Sequence, residues 1–328
     1  SSVSAVRMKK KGYEIIGAFM KNYSDSKNEF TEDCLWKDER KVAMKIAAKL
    51  GIPLITLDFE KQYRKNVIGK MFKDYKKGIT PNPDIDCNEK IKFPLLIKSA
   101  KKLGCNFVVT GHYARIKNNK LFRAKDESKD QSYFLYRLKQ SELEHLMFPI
   151  GDYTKKEIRE IARKNGFENH DKKSTVGICF VGKVNLKKFL QKKIKPKKGK
   201  ILNPNGEIIG EHDGIYYYTI GQRIGSRFGI EITKNDEDKS NVRRWYVASK
   251  DARNNIIIAA PEGHPLNYRK EILIKNPHWI SNKPNNNSRV LARIRQVGEL
   301  LPAKISMKKG KIKVILNKAI TGISEGQA

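Results

Sequence analysis

In the first half of the chain, short apolar runs alternate with stretches in which apolar residues recur every three or four positions. Gly12 to Met20 (GYEIIGAFM) reads as a buried strand, and Ile52 to Phe59 (IPLITLDF) and Asn106 to Thr110 (NFVVT) repeat that texture. Between them, Val42, Ile46 and Leu50 fall four apart in a helical stretch from Asp38, with Gly51 as its stop. Further helical stretches run from Gln62 to Lys76 and from Phe93 to Leu103, the latter ending at Gly104. Such spacing lays one side of a helix on a core, whereas a short continuous apolar run suits a strand covered on both faces. Strands separated by helices imply right-handed βαβ units, a parallel sheet and ligands at the carboxyl ends of its strands. Gly111-His112-Tyr113 stands at one such end.

From about Lys183 the texture changes. Gln191 to Lys200 holds six lysines with Pro196 and Gly199, as a solvated connector would. Short β-type runs then alternate with turn signals: Asn203-Pro204-Asn205-Gly206, Tyr216 to Ile220, Trp245 to Val247, and Ile256 to Ile258. Val290 to Arg295 and Ile312 to Leu316 alternate apolar and charged residues, as strands with one wet face do. The expected architecture is a parallel α/β domain over residues 1–182, a small linking domain over 183–260 and a small antiparallel β-barrel over 261–328.

Length and charge narrow the class. At 328 residues the chain can form two or three domains with a substantial core. No apolar run approaches the roughly 18 residues a membrane helix needs. Its 68 basic and 35 acidic residues give a formal charge of +33, large for an enzyme of small-molecule metabolism and suited to a polyanion, nucleic acid first.

Four cysteines, Cys34, Cys87, Cys105 and Cys179, contain no C-x-x-C pair, so neither a structural zinc site nor a disulfide scaffold is expected. Reduced thiols of an intracellular protein are the better reading. The richest stretch is Thr80-Pro81-Asn82-Pro83-Asp84-Ile85-Asp86-Cys87-Asn88-Glu89, where two prolines predict a rigid loop holding an acid and a thiol three residues apart. Cys179, between Ile178 and Phe180, reads on its own more readily as a buried core cysteine than as a nucleophile. Cys105 reads as a small core residue, and Cys34 receives no chemistry.

These residues carry a resemblance that runs nearly end to end. Phe19-Met20-Lys21-Asn22, Thr80 to Phe93, Thr110 to Arg115, Lys129 to Leu135, Gly177 to Phe180, Gly210 to Gly214 and Thr219-Ile220-Gly221-Gln222-Arg223 are similar, in order and spacing, to the motifs of the MnmA-type tRNA-specific 2-thiouridylases. That family belongs to the PP-loop ATPases, whose phosphate loop reads S-G-G-x-D-S. Ser1-Ser2-Val3-Ser4-Ala5 resembles only the tail of that loop and the start of its helix, so the expectation is a sequence trimmed at both ends. A natural protein lacking the loop is the alternative.

The resemblance implies ATP-dependent replacement of the 2-oxygen of the wobble uridine of tRNA by sulfur, with Mg²⁺ offsetting phosphate charge. ATP adenylates the oxygen; a persulfide on Cys179 supplies sulfur; Cys87 closes a transient disulfide with Cys179; Asp84 manages protons. Ser1, Ser2, Met20, Gly111 and His112 would line the ATP site. Asn82, Asp130, Gln131, Gln222, Arg223, Arg293 and Arg295 would face tRNA, the last two as strand residues tracking phosphates. Lys, Glu and Gln isoacceptors, a persulfide donor protein, a monomer in the cytoplasm and no membrane contact complete the picture. Two departures stand out: Ser174 replaces a usual acid before Cys179, and Asp86 replaces an apolar neighbour of Cys87 and would raise that thiol's pKa by like-charge repulsion. Two rivals remain: a PP-loop ATPase adding nitrogen to an adenylated carbonyl, and a non-catalytic tRNA-binding relic.

Overall fold

The structure is a computed structural model and describes residues 1–25, 35–172, 177–182, 185–225, 244–296, 298–308 and 311–327. Cys34 and Ser174 lie outside the described residues. The chain forms two compact units, one of residues 1–69, 83–184 and 278–283, the other of residues 70–82, 185–277 and 284–328.

The first unit opens with α1 (Ser2–Lys10), β1 (Gly17–Lys21), α2 (Leu35–Leu50), β2 (Leu54–Asp58) and α3 (Glu60–Tyr63). β1 and β2 pair in parallel, Gly17 opposite Leu54 and Lys21 opposite Asp58. The expected helix from Gln62 to Lys76 is interrupted by a π-helical turn, Arg64–Ile68, before α4 (Gly69–Lys76). After α5 (Pro83–Cys87) and a second π turn, Asn88–Lys92, comes α6 (Phe93–Lys102). β3 (Val108–Val109), β4 (Ala114–Lys117), β5 (Lys120–Arg123), α7 (Gln140–Leu143), β6 (Leu146–Met147) and α8 (Lys155–Lys164) follow. β3 and β6 form a second parallel pair.

The expected proline-held loop proves to be helical from Pro83 onward. Proline has no N–H to lose at the first position of a helix, and its fixed φ suits that position, so Pro83 starts a helix while Pro81 stays in the irregular segment before it. Pro94, at the start of α6, lacks the N–H that a continuous α-helix would need, and the π turn just before it takes up the mismatch. β4 and β5 form a hairpin whose turn, Asn118-Asn119, takes φ 48° and 55°, the backbone a primed hairpin turn requires. Thr154 caps α8 in a reciprocal box: its Oγ1 accepts from Glu157 N–H at 3.2 Å and the Glu157 carboxylate accepts from Thr154 N–H at 2.6 Å. Two apolar clusters fill the unit. Phe93, Ile97, Val108, Leu135, Leu146 and Phe148 belong to one, and Val3, Val6, Tyr113, Ile150, Ile158 and Phe167 to the other.

In the second unit, α9 (Leu186–Gln191) is followed by β7 (Gly199–Leu202), β8 (Ile208–His212), β9 (Arg223–Ile224), β10 (Trp245–Asp251) and β11 (Ile256–Pro261). They form one sheet in the order β8-β7-β11-β10-β9. β12 (Tyr268–Ile274), β13 (Arg289–Ala292), β14 (Leu301–Lys308) and β15 (Lys311–Thr321) make a separate antiparallel sheet in the order β12-β15-β14-β13. Phe72 stacks on Phe189 at 5.5 Å, which ties the 70–82 segment to this unit. The lysine-rich connector is anchored: Ile194 is buried, and the hydroxyls of Tyr216 and Tyr217 donate to the carbonyls of Lys195 and Ile194. Those tyrosines lie on a 3₁₀ turn, Ile215–Tyr217, where a β-type run was expected. Arg293 and Arg295 lie past the end of β13, so they are loop residues and not strand residues.

Candidate functional site

The helical rod that starts at Pro83 sets the first half of the site. Asp84 stands in the first turn of α5 and Cys87 at its end, three residues on and therefore on one side of the helix. Lys92 follows five residues later; at about 100° per residue an uninterrupted α-helix would turn it well away from Cys87. The π turn closes its hydrogen bonds over five residues, and Lys92 reaches the same thiol pair.

Cys179 comes from a tight turn. Val181 and Gly182 donate their N–H groups to the Ile178 carbonyl at 3.0 and 2.9 Å. At the third position of that turn Phe180 has φ 66°; the other described non-glycine residues in this region are all asparagine. A bulky residue there is costly unless its surroundings hold it. They do: Asp84 Oδ1 accepts from the Cys179 N–H at 2.8 Å, and the Tyr63 hydroxyl donates to the Cys179 carbonyl. The Phe180 ring meets Tyr63 edge-on at 6.0 Å, and the Lys92 ammonium lies over its face at 5.7 Å.

Cys87 is buried, Cys179 is half-buried, and both are free thiols that hydrogen-bond to each other. The bond splits their acidity. Accepting from Cys87, with Lys92 Nζ at 4.0 Å from its sulfur, Cys179 is held below the ordinary thiol value against the effect of burial. Cys87, the donor and the more deeply buried, is pushed well above it. The carboxylate that raises Cys87 is Asp84; Asp86, expected to do so, pairs instead with Lys90 at 2.9 Å. Burial pushes Asp84 itself up, offset by the Cys179 amide and Lys92. Burial works to lower Lys92, and the two sulfurs with Asp84 outweigh it.

His112, beyond β3, is buried next to this cluster. Its Nε2 lies 3.4 Å from Lys92 Nζ and its Nδ1 2.7 Å from Thr110 Oγ1. Burial first, and Lys92 next, hold it well below the usual histidine value, so it is a neutral imidazole. Gly111 packs on the start of α1: a Cβ there would sit 2.2 Å from Ser1 N. Ser1, Ser2, Gly111 and His112 thus share one corner, at a helix N-terminus whose free amides can bind an anion. Met20 lies on β1, opposite Leu57, in the other parallel pair.

Asp130 and Gln131 turn inward. Asp130 is 1% exposed, and its carboxylate closes its own loop through Ala124 N–H, Ser132 N–H and Ser132 Oγ. Gln131 brackets Tyr113, accepting its N–H at 2.9 Å and donating its own N–H to the Tyr113 carbonyl at 2.7 Å. The other sequence candidates gather in the second unit. Thr80 Oγ1 is 3.1 Å from Thr219 Oγ1, two residues before half-buried Asn82. Gln222 is exposed and accepts from Thr219 N–H, while Arg223 is exposed on β9. Arg295 donates to the Gly322 carbonyl, and its guanidinium fills the space a Cβ at Gly322 would take; half-buried Arg293 precedes it by two residues.

Lys92 and Tyr63 went unassigned in the sequence. The signal for Lys92 was its position between Ile91 and Phe93, two fully buried residues. Cys105 is half-buried in the turn before β3, not the core residue expected. Among the described residues no group of three or more His, Cys, Asp or Glu could hold a metal, and no helix is long and apolar enough to cross a membrane.

Comparison with known proteins agrees with the motifs. Residues 1–183 match the family model described as tRNA methyl transferase HUP domain, 187–261 that described as tRNA methyl transferase PRC-barrel domain, and 269–328 that described as aminomethyltransferase beta-barrel domain. A protein of Coxiella burnetii named tRNA-specific 2-thiouridylase MnmA is 44% identical over 287 residues, 85% of this chain and 76% of that protein. Proteins of the same name from Francisella philomiragia and Shewanella oneidensis are 38% and 36% identical along 100% of this chain, covering 91% and 88% of their own lengths. Domain matches along almost the whole sequence and identity at this level lead to one conclusion: the chain belongs to the family of MnmA-type tRNA-specific 2-thiouridylases.

Proposed function

We propose that the protein is a tRNA-uridine 2-sulfurtransferase that replaces the 2-oxygen of the wobble uridine of tRNA by sulfur, with ATP adenylating that oxygen. The observation that carries this reading is the meeting of two free thiols, Cys87 buried and Cys179 half-buried, with Asp84 accepting from the Cys179 N–H at 2.8 Å and a lysine ammonium 4.0 Å from the Cys179 sulfur. A nitrogen-transferring ATPase has no use for it.

Cys179 is the better sulfur carrier, since the thiolate is the reactive form. It accepts a persulfide sulfur from a donor protein, whose own thiol is released. The terminal sulfur bonds to C2 of the uridine as the activated oxygen departs. The Cys87 sulfur, after giving up its proton, then attacks Cys179 Sγ: the bond from Sγ to the transferred sulfur breaks, a Cys87–Cys179 disulfide forms, and the sulfur stays on the base. An external dithiol restores both thiols. Asp84, on the same helix face as Cys87, manages that proton and steadies the Cys179 amide. ATP supplies the leaving group that a carbonyl oxygen lacks; Ser1, Ser2, Gly111 and His112 line the corner that would hold it, and Met20, on β1, is proposed as a further contact. Mg²⁺ would arrive on its phosphates and offset their charge.

Asn82, Gln222, Arg223, Arg293 and Arg295 form the tRNA-facing set, supported by a charge of +33. In the first unit Asp130 and Gln131 join that set, Asp130 by closing the loop that carries Gln131 through Ala124 and Ser132. We extend the reading to residues 1–182 as the catalytic domain, 183–260 as a linking domain and 261–328 as a barrel, to the Lys, Glu and Gln isoacceptors as substrates, and to a cytoplasmic monomer. The test is full-length protein with ATP, Mg²⁺, a sulfide source and unmodified tRNA, followed by digestion and mass spectrometry for 2-thiouridine. Cys179→Ala should abolish the product with tRNA affinity unchanged, and Cys87→Ala should stop turnover yet still load a persulfide on Cys179. Normal thiolation by both variants would sink the sulfur relay. tRNA binding without product in the wild type would favour the non-catalytic relic.

A further inference from the structure

Resting on that reading, we propose that Lys92 is a catalytic residue, the resident cation that balances negative charge on Cys179 Sγ, both as the free thiolate and after the sulfur is loaded, and that it holds His112 as a neutral acceptor. Three observations meet on this side chain. Lys92 Nζ lies 4.0 Å from Cys179 Sγ, 3.4 Å from His112 Nε2 and 5.7 Å from the centre of the Phe180 ring. Among the described residues it forms no ion pair with a carboxylate within 4 Å, although the chain offers 35 acidic residues and many of its other lysines take one. An ammonium drawn out of water needs an anion, and the nearest one here is sulfur.

The placement is built by the fold. The π turn Asn88–Lys92 aims the side chain, and Ile91 and Phe93, both fully buried, fix the backbone on either side. On the imidazole, Nε2 accepts from Lys92, so the ring proton sits on Nδ1 and points to Thr110 Oγ1. A protonated His112 would face the ammonium at 3.4 Å, so the lysine keeps the ring neutral as well as charging the sulfur site. The other titratable groups facing Cys179 are Cys87 and Asp84 from α5, Tyr63 from α3 and Glu39 from α2. Asp84 and Glu39 oppose the thiolate, and Cys87 stabilises it by donating a hydrogen bond. Lys92 is the cation of the set.

The scale follows from the distance. A unit charge at 4.0 Å, at an effective dielectric constant of about 20, moves a thiol midpoint by at most about three pH units. Because Cys87 carries part of the effect, removing the lysine charge should raise the midpoint by about one to two.

The experiment is the pH dependence of alkylation of Cys179 by iodoacetamide, followed by mass spectrometry of the peptide that contains it, in wild type, Lys92→Met and Lys92→Arg. The wild-type midpoint should lie below the ordinary thiol value of about 8.5. Lys92→Met should move it up by at least about one pH unit, and Lys92→Arg should restore most of the difference. 2-Thiouridine formation by Lys92→Met at neutral pH should fall at least about tenfold in kcat, recovering as pH rises, with tRNA affinity unchanged. A purely structural lysine would leave the midpoint in place, which overturns the proposal. A wild-type midpoint at or above about 8.5 overturns it too, with no need for any variant to fold. A lysine-dependent midpoint in a wild type that makes no 2-thiouridine would leave Lys92 standing and remove the proposed function instead.

Discussion

Replacing Tyr63 by Phe deletes one oxygen and asks whether the Cys179 turn is held from both sides. The turn places Phe180 at φ 66°, a conformation that costs an ordinary residue about 1–2 kcal/mol. It persists because the Cys179 N–H is tied to Asp84 and the Cys179 carbonyl to the Tyr63 hydroxyl. Tyr63 is fully buried, and Phe at that position keeps the ring contacts with Tyr23 at 6.2 Å and Phe180 at 6.0 Å. What is lost is the hydrogen bond. Leaving a desolvated carbonyl unpaired costs about 1–3 kcal/mol. At a factor of ten per 1.4 kcal/mol, the turn should open about 5- to 150-fold more often. The change is local, so the assay is hydrogen exchange at the amides of Val181 and Gly182, which bond to the Ile178 carbonyl, with amides of the β4–β5 hairpin as internal controls. Exchange should accelerate at the turn and stay unchanged in the hairpin. 2-Thiouridine formation should slow in kcat more than in KM. Exchange at both turn amides within about twofold of wild type would refute the clamp, since even the smallest expected loss, about 1 kcal/mol, gives about fivefold. Asp84→Asn offers a cross-check. If both side chains hold one turn, the pair of substitutions should be non-additive by about 0.5–3 kcal/mol.

Three further outcomes follow from the site. Gly111→Ala would drive a Cβ to 2.2 Å from Ser1 N, so ATP affinity should fall at least about tenfold with tRNA affinity retained; unchanged ATP affinity by equilibrium dialysis would separate Gly111 from the nucleotide. His112 is held well below its ordinary value by burial and by Lys92, so below about pH 6.5 the unfolded chain takes up a proton that the folded site refuses. Stability should therefore drop by up to about 1.4 kcal/mol per pH unit as pH falls from about 6.5 toward the folded value. His112→Asn should flatten that slope in denaturant titrations, and an unaltered slope counts against a neutral buried imidazole. Arg223 is exposed, so Arg223→Ala should weaken tRNA binding while lowering the slope of log affinity against log salt by about one; an unchanged slope would remove it from the phosphate contacts.

Local chemistry made some of this architecture readable and hid the rest. Valine, isoleucine and leucine spacing located β2 and α2 to within a few residues and the end of β1 to within one, but Gly12 to Ile16 lie outside β1, and β1 and β2 are partly exposed where buried strands were expected. The Pro81–Pro83 segment misled for a definite reason. Proline excludes the interior of a helix but favours its first position, and nothing in two prolines a residue apart tells which side of the boundary they occupy. Arg293 and Arg295 misled for another: alternation of apolar and charged residues runs on past Ala292, while the pairing partner β14 begins at Leu301 and its register ends opposite Ala292. A strand stops where its partner stops, and that is a property of two segments, not one.

The candidate site divides the same way. Asp84, Cys87 and Cys179 could be singled out because thiols are scarce and an acid beside one is a chemical statement by itself. Lys92 could not, being one of 68 basic residues in a chain that spends most of them on its surface. Its distinguishing mark is contextual, a lysine between two fully buried apolar residues. A uniform α-helical period would assign Lys92 to the solvent side and treat it as a charge on a wet face. The π turn overturns that assignment, by moving one residue through a fraction of a turn and so bringing a cation to sulfur. Local departures from the regular period are where a sequence of this kind should be searched for chemistry: the other π turn, Arg64–Ile68, begins directly after Tyr63, the residue that holds the other side of the same cysteine.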